Sequence, residues 1–171
     1  MRKLDAYSAS IGILGAVDTY LTATLILVPV WVTFIAWASF FILGGKSSGL
    51  KQSIASNLTG IVIASLTLLA ISALNANPLV AAICVGVGSA AMVQASKIPL
   101  LTAIPAIVWG FASTVGTTVA TAKPITTVGL ENPALVAAAA MILGGVFGYL
   151  SEIWGDAMTR ENASMRERTR A

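Results

Sequence analysis

The sequence contains no histidine and one cysteine, and only 10% of its 171 residues carry a charge. Without histidine, neither a His-ligated metal site nor His-based catalysis can be assembled. The single thiol, Cys84, excludes a disulfide within the chain and a paired-cysteine metal site. Set inside an apolar run, it reads as a small buried hydrophobe. Soluble domains carry roughly 25% charged residues, so most of this surface cannot face water. The acidic residues form no paired-carboxylate site within the apolar runs. No Walker motif is present, the loop Gly44–Gly49 being out of frame for one. An enzyme, a metal and a cofactor are therefore not expected.

What the chain has in abundance is apolar sequence, with 57% hydrophobic residues and a mean hydropathy of +0.87. A membrane-crossing helix needs about 20 mostly apolar residues. From Ser8 to Leu43 the only charge is Asp18. As one helix that stretch would reach roughly 54 Å, against a hydrocarbon core of about 30 Å. It must fold back, and Pro29, which lacks an N–H and restricts Val28 before it, is the natural break. Helix 1 is then expected over 8–27 and helix 2 over 29–43, followed by the loop Gly44–Gly49. Helix 3 covers 50–74 and stops at Asn75-Ala76-Asn77-Pro78, and helix 4 covers 78–96 with Pro78 in its first turn. After Lys97-Ile98-Pro99, helix 5 covers 100–122 with Pro105 near its start. Helix 6 covers 133–152 and runs on into a charged, amphipathic tail over 156–171. The fold class expected is an all-α integral membrane protein, with residues 1–155 forming a six-helix transmembrane bundle.

Charge placement gives an independent check. Arg2, Lys3, Lys46, Lys51, Lys97, Arg160, Arg166, Arg168 and Arg170 fall on one side of such a bundle, and Lys123 alone on the other. The positive-inside rule makes the crowded side cytoplasmic, with both termini there. The same placement explains the net charge of +3 and pI of about 9.3 without nucleic acid, since no basic patch interleaved with aromatics exists. Met1-Arg2-Lys3 ahead of an apolar run superficially resembles a signal peptide. Asp18 interrupts that run, however, and no small-residue cleavage site precedes Pro29, so it reads as an uncleaved first helix. Two internal echoes are visible. Asn77-Pro78-Leu79-Val80-Ala81-Ala82 resembles Asn132-Pro133-Ala134-Leu135-Val136-Ala137-Ala138, which joins helix 4 to helix 6. Helices 2 and 5 each carry a Trp followed closely by Ala and Ser, which fits a 3+3 inverted repeat of the kind found in transporters. The two echoes disagree about the repeat unit.

Trp31, Phe34, Trp37-Ala38-Ser39-Phe40-Phe41, Gly44-Gly45, Gly49-Leu50-Lys51 and Ser56-Asn57-Leu58-Thr59-Gly60 form a run that resembles the YcdZ-like bacterial inner-membrane proteins, a domain-of-unknown-function family. The match is most specific from Trp31 to Gly60 and elsewhere rests on length and helix pattern. The resemblance implies a small multi-span protein of the bacterial cytoplasmic (inner) membrane, and it supplies no activity or substrate.

Asp18 is the only acid or base deep inside an expected span. A charge at a helix centre costs about 2.5–3.5 kcal/mol on insertion scales, so such a residue faces the protein interior or a wet cavity. Ser8, Gly12, Gly15, Asp18 or Thr19, and Thr22 recur at helical spacing and make one small, polar face. Asp18 reads either as a proton, cation or solute site, or as a hydrogen-bond partner for a neighbouring helix. Asn57 lies on a second stripe with Ser53, Gly60, Ala64 and Thr67, where interhelical hydrogen bonds average about 0.6 kcal/mol. Gln94 has the same ambiguity. Ser113, Thr114, Thr117, Thr118 and Thr121 give helix 5 a hydroxyl-rich face that either lines a pore or bonds its own carbonyls at i−4. Gly144-x-x-x-Gly148, Gly86, Gly60, Gly12 and Gly15 allow close helix approach, within the bundle or between subunits. Glu152, Asp156 and Arg160, spaced by four, extend the last helix with an Asp-to-Arg pair.

The expected function is a channel or transporter for a small polar solute. Helices 1, 3 and 5 would line its pathway through Asp18, Thr22, Asn57, Thr114 and Thr117. The rival is a membrane scaffold or accessory subunit whose polar residues only lock helices together and whose tail recruits a partner. The lipid bilayer, the solute and further copies of the chain, as a homo-oligomer, are the partners expected.

Overall fold

Proline or glycine sets most of the helix boundaries. The computed structural model describes residues 2–74 and 77–168, with side chains as far as Arg160. Asn75 and Ala76 of the expected turn, and Arg170 of the tail, lie outside the described residues. The elements are α1 (Lys3–Thr24), α2 (Val30–Ile42), α3 (Lys46–Ala73), α4 (Pro78–Ala95), a short 3-10 turn (Pro99–Leu101), α5 (Ile104–Thr121) and α6 (Pro133–Arg168). No strand occurs among the described residues.

Among the described residues four helices, α3, α4, α5 and α6, are long and apolar enough to cross a membrane. All six expected helices are present, and the two that do not meet that length and hydropathy, α1 and α2, form the first hairpin. Helix α2 has 13 residues, about 20 Å at about 1.5 Å per residue. Helix α1 has 22 residues, but Lys3, Asp5, Asp18 and its hydroxyl residues dilute its hydropathy.

The break at Pro29 is present: α1 ends at Thr24, Leu27 takes a φ of 51°, and Pro29 precedes the first turn of α2. The loop expected over Gly44–Gly49 is shorter than that. Gly44 and Gly45, with φ of 86° and 68°, reverse the chain in the left-handed region that glycine tolerates, and α3 begins at Lys46. The Lys46 N–H donates to Glu152 Oε2 at 2.6 Å, so a carboxylate from α6 satisfies a first-turn donor and complements the helix dipole. Asn77 caps α4 by accepting from the Val80 N–H at 3.0 Å, the usual role of asparagine at that position. Helix α6 runs on past residue 152 into the charged tail, as its spacing of Glu152, Asp156 and Arg160 implied, and reaches Arg168.

The helices cross at glycines. A Cβ on Gly60 would collide with the Ile107 carbonyl oxygen, one on Gly110 with that of Asn57, and one on Gly144 with that of Thr33. Thus α3 meets α5, and α6 meets α2, backbone against backbone, as small-residue crossings permit. Gly148 lies 2.8 Å, by the same measure, from the Phe40 ring, and Gly15 is at an ordinary 3.5 Å from Phe34. Gly12 and Gly86 meet nothing within 4 Å, so the close packing expected there is not made within the single chain. Helices α3 and α6 are central, with α4 and α5 packed on the former and α1 and α2 on the latter. The main core cluster joins Val32, Ala36, Ile61, Ala137, Ala140 and Met141.

Outward faces carry Val62, Leu66, Ile83, Val87, Leu135 and Ile142, whereas Ser10, Asp18, Thr33, Ser39, Ser53, Asn57, Thr114 and Thr117 are fully buried. Apolar outside and polar within is the pattern of a bundle solvated by lipid. At one end of the bundle Tyr7 Oη donates to Asp156 Oδ1 at 2.9 Å, beside the Lys46–Glu152 contact. At the other end the α1–α2 link and the segment before α6 line a common cavity.

Overpacking usually costs about 1–3 kcal/mol, and a backbone obstacle cannot rotate away. Gly60→Val and Gly144→Val should each destabilise the protein by about 3 kcal/mol or more, while Gly12→Val and Gly86→Val should leave the monomer's thermal unfolding in detergent unchanged. Equal melting temperatures for all four variants would remove these crossings from the account.

Candidate functional site

Asp18 is brought to its partner by the fold-back at Pro29. That reversal lays α2 beside α1, and the Thr33 hydroxyl, in the first turn of α2, is hydrogen-bonded to Asp18 Oδ2. The same hydroxyl lies 2.7 Å from the Val30 carbonyl oxygen, and a hydroxyl has one hydrogen to give. Asp18 Oδ1 is buried with no hydrogen-bond partner. Thr22, one turn along α1, donates to the Asp18 carbonyl at 2.8 Å.

A second group sits where α2 meets α3. Ser53 donates to Ser39 at 2.9 Å, Ser39 to Asn57 Oδ1 at 3.3 Å, and Asn57 Nδ2 back to Ser53 at 3.3 Å. The three close a ring in which each member gives and accepts, and none is exposed. The third group is local to α5: Thr114 donates to Gly110 O at 3.0 Å and Thr117 to Ser113 O at 2.7 Å. Both therefore make the i−4 bonds that hydroxyls favour inside helices. The five residues expected to line one pathway fall into three groups that share no hydrogen-bonding member.

A further chain ties α1 and α2 to α6. Trp37 Nε1 donates to Ser151 Oγ at 3.0 Å, and Ser10 donates to the Ser151 carbonyl at 2.9 Å. Thr33 and Ser151 did not stand out in the sequence, and Ser39 did so only as part of the run Trp37-Ala38-Ser39 and not as a polar site. The available signal was that Thr33 and Ser39 are the only hydroxyl residues in an otherwise apolar α2.

A cavity of about 590 Å³ opens at the end opposite Tyr7 and Asp156, lined by Val28, Pro29, Thr121, Lys123, Glu131 and Val136 among others. Lys123 Nζ lies 2.6 Å from Glu131 Oε2, and this hydrogen bond, then the ammonium charge, holds the Glu131 carboxyl below the usual glutamate range. Val28 lines the cavity and also belongs to the core cluster with Val32 and Ala36. Pro29 is one turn from Thr33, about 6 Å along α2. Among the described residues no group of three His, Cys, Asp or Glu side chains could hold a metal ion.

Residues 8–156 match the family described as Protein of unknown function (DUF1097). The chain belongs to this family. The DUF1097 match includes all of α2 to α5, most of α1 and the apolar part of α6, so every hydrogen-bonded group above that involves Asp18 or Asn57 lies inside it. No curated protein and no solved structure matches this DUF1097 chain.

At the end bearing Tyr7, burial first, then donation to Asp156 and the charges of Asp156 and Glu152, push the phenol up to about 12. A pKa raised above its unfolded value of 10.0 contributes stability that is complete below pH 10 and lost as pH rises towards 12. Wild type should therefore lose stability over that alkaline window more steeply than Tyr7→Phe, read as melting temperature against pH. Superimposable slopes would show that the Tyr7–Asp156 contact does not hold α1 to α6.

Proposed function

We propose that this protein is a channel or transporter for a small polar solute rather than an enzyme, built as an inverted 3+3 repeat with both termini cytoplasmic. The observation that carries this reading is a shared register of burial in the two halves. Setting Gly60 against Gly144 places every buried position of α3 on a buried position of α6. Gly49 falls on Pro133, Ser53 on Ala137, Ser56 on Ala140, Asn57 on Met141, Ile61 on Gly145, Ala64 on Gly148 and Thr67 on Ser151.

The backbone crossings supply that register independently, since Gly60 abuts the Ile107 carbonyl and Gly144 the Thr33 carbonyl. Pairing Thr33 with Ile107 in turn sets buried Val32, Ala36, Ser39 and Phe40 on buried Ala106, Gly110, Ser113 and Thr114. In this alignment Trp37-Ala38-Ser39 matches Phe111-Ala112-Ser113, so Phe111 rather than Trp109 corresponds to Trp37. Three-helix units with an odd number of crossings enter the membrane in opposite directions, the construction that secondary transporters use for alternating access. Six crossings require α2 to span despite its length, which local thinning of the bilayer accommodates at modest cost.

The resemblance of Trp31–Gly60 to YcdZ-like proteins supports the bacterial cytoplasmic membrane, and the grouping of Tyr7, Lys46, Glu152 and Asp156 at one end supports placing both termini together. Asp18 and Asn57 are the side chains proposed to meet the solute, with Thr22 beside the first. The open surfaces at Gly12 and Gly86 support assembly into a homo-oligomer. One observation favours the scaffold reading instead: Thr22, Thr114 and Thr117 spend their hydroxyls on their own helices, while α6 runs on as a charged arm to Arg168.

Purified full-length protein in proteoliposomes, challenged with polyols, small amides and small amino acids, decides between them. The transport reading expects selective entry of at least one class above protein-free vesicles, unchanged by deletion of Ala157–Ala171. No entry for any class, with loss of the cellular phenotype on deleting that segment, would establish the scaffold reading.

A further inference from the structure

Asp18 is fully buried where α1 packs against α2 and α6. No charged residue occurs in α2, and none in α6 from Pro133 to Ser151. The other charges on α1, Arg2, Lys3 and Asp5, lie more than three turns away at its start, and Arg2 pairs with Asp5 at 3.3 Å. On α6, Glu152 and Asp156 sit at the end engaged with Lys46 and Tyr7. A carboxylate at Asp18 would thus be an uncompensated charge in an apolar bundle, a costly arrangement in a membrane interior.

The hydrogen bonds point the same way. The Thr33 hydroxyl has one hydrogen and two acceptors in reach, Asp18 Oδ2 and the Val30 carbonyl. If Asp18 is ionised, Thr33 can serve only one of them, and Oδ1 remains bare as well. If Asp18 is protonated on Oδ2, the acid donates to Thr33 and Thr33 donates to Val30, and every hydrogen has one acceptor. A bound metal cation would need a shell of several oxygens, and only one Asp18 oxygen is unengaged.

We propose that Asp18 is a proton-exchange site that couples solute movement to proton movement, held as the neutral acid while it is buried as described here. This rests on the transport reading above. The cavity bounded by Lys123 and Glu131 reaches Pro29, one turn from Thr33, and Asp18 lies behind its lining; opening of the bundle on that side brings the cavity's water to the carboxyl. The Asp18 carboxylate then takes up one proton from that water to become the acid. When the bundle opens to the opposite side, the acid returns that proton to water and the carboxylate is regenerated. Charge and atoms balance with water as the only donor and acceptor.

Two measurements on the full-length protein test this. Infrared spectroscopy at neutral pH should show the C=O stretch of a protonated, deuterium-exchangeable carboxylic acid that disappears in Asp18→Asn. Proteoliposomes containing a pH-sensitive dye, given the same polyol, amide and amino-acid panel, should acidify internally as solute enters. In Asp18→Asn that acidification should fall to the level of protein-free vesicles. Absence of the acid band overturns the proposal, as does solute entry without acidification or entry driven by a sodium gradient alone. An acid band with no flux of any solute overturns the transport reading, and the coupling with it, while leaving the neutral acid in place.

Discussion

The contact of α3 with α5 through Gly60 and Gly110, and of α6 with α2 through Gly144, is the constraint on which the remaining geometry rests. In lipid no hydrophobic force draws helices together, because hydrocarbon tails are as apolar as leucine. What remains is close packing and hydrogen bonding between helices. Backbone-to-backbone approach supplies the first directly, and it makes the second possible by bringing short side chains within reach of each other. Without the Gly144 crossing α2 would not sit deep enough against α6 for Trp37 to reach Ser151. The ring of Ser39, Ser53 and Asn57 joins α2 to α3, the helices that these crossings seat against α6 and α5. The glycines thus set the distance, and the serines and threonines exploit it.

The buried polar groups add little stability by attraction. Interhelical hydrogen bonds in membranes average about 0.6 kcal/mol, whereas a buried polar group left unpaired costs about 1–3 kcal/mol. The asymmetry explains why so many hydroxyls return to carbonyls of their own helix, as Thr59, Ser65, Thr67, Thr114 and Thr117 do. Against that economy the exceptions stand out: Asp18 Oδ1, Ser56 Oγ and Ser113 Oγ are buried without partners. Of these, only Asp18 can change charge.

The breaks were legible in the sequence because proline and glycine act locally. Pro29, Pro78, Pro105 and Pro133 lie at or beside helix starts, as a missing N–H and a fixed φ require. Asn57 and Asp18 were legible as candidates because polar groups are scarce in apolar runs. The start of α3 at Lys46 was not, since its acceptor, Glu152, lies 106 residues away. Glycines were equally opaque, because Gly12 and Gly144 look alike until the fold decides which one faces a backbone. The Asn-Pro echo joins helices 4 and 6, whereas the repeat proposed above sets α3 against α6. What the echo has in the structure is a shared helix start, Asn77 and Asn132 each accepting from a first-turn N–H of the helix that follows.

The proposed repeat also shows where the two halves part. Ser39 and Ser113 are the same residue at matching positions, yet Ser39 joins a ring while Ser113 has no partner, because Ala137 and Met141 stand where Ser53 and Asn57 do in the first half. Thr33 likewise matches Ile107. The scaffold of glycine crossings is shared, and the hydrogen-bonding chemistry is carried by one half. That half also contains the shorter α2 and the less apolar α1, so it is held less firmly by lipid and depends more on its polar contacts with α6. Moving α2 away from α6 would part the touching backbones at Gly144 and Thr33, just as moving α3 past α5 would part those at Gly60 and Gly110. Helix α1 has no such crossing and is held by side chains, Asp18 to Thr33, Ser10 to Ser151 and Tyr7 to Asp156. The acid thus lies on a helix held by side chains rather than by touching backbones.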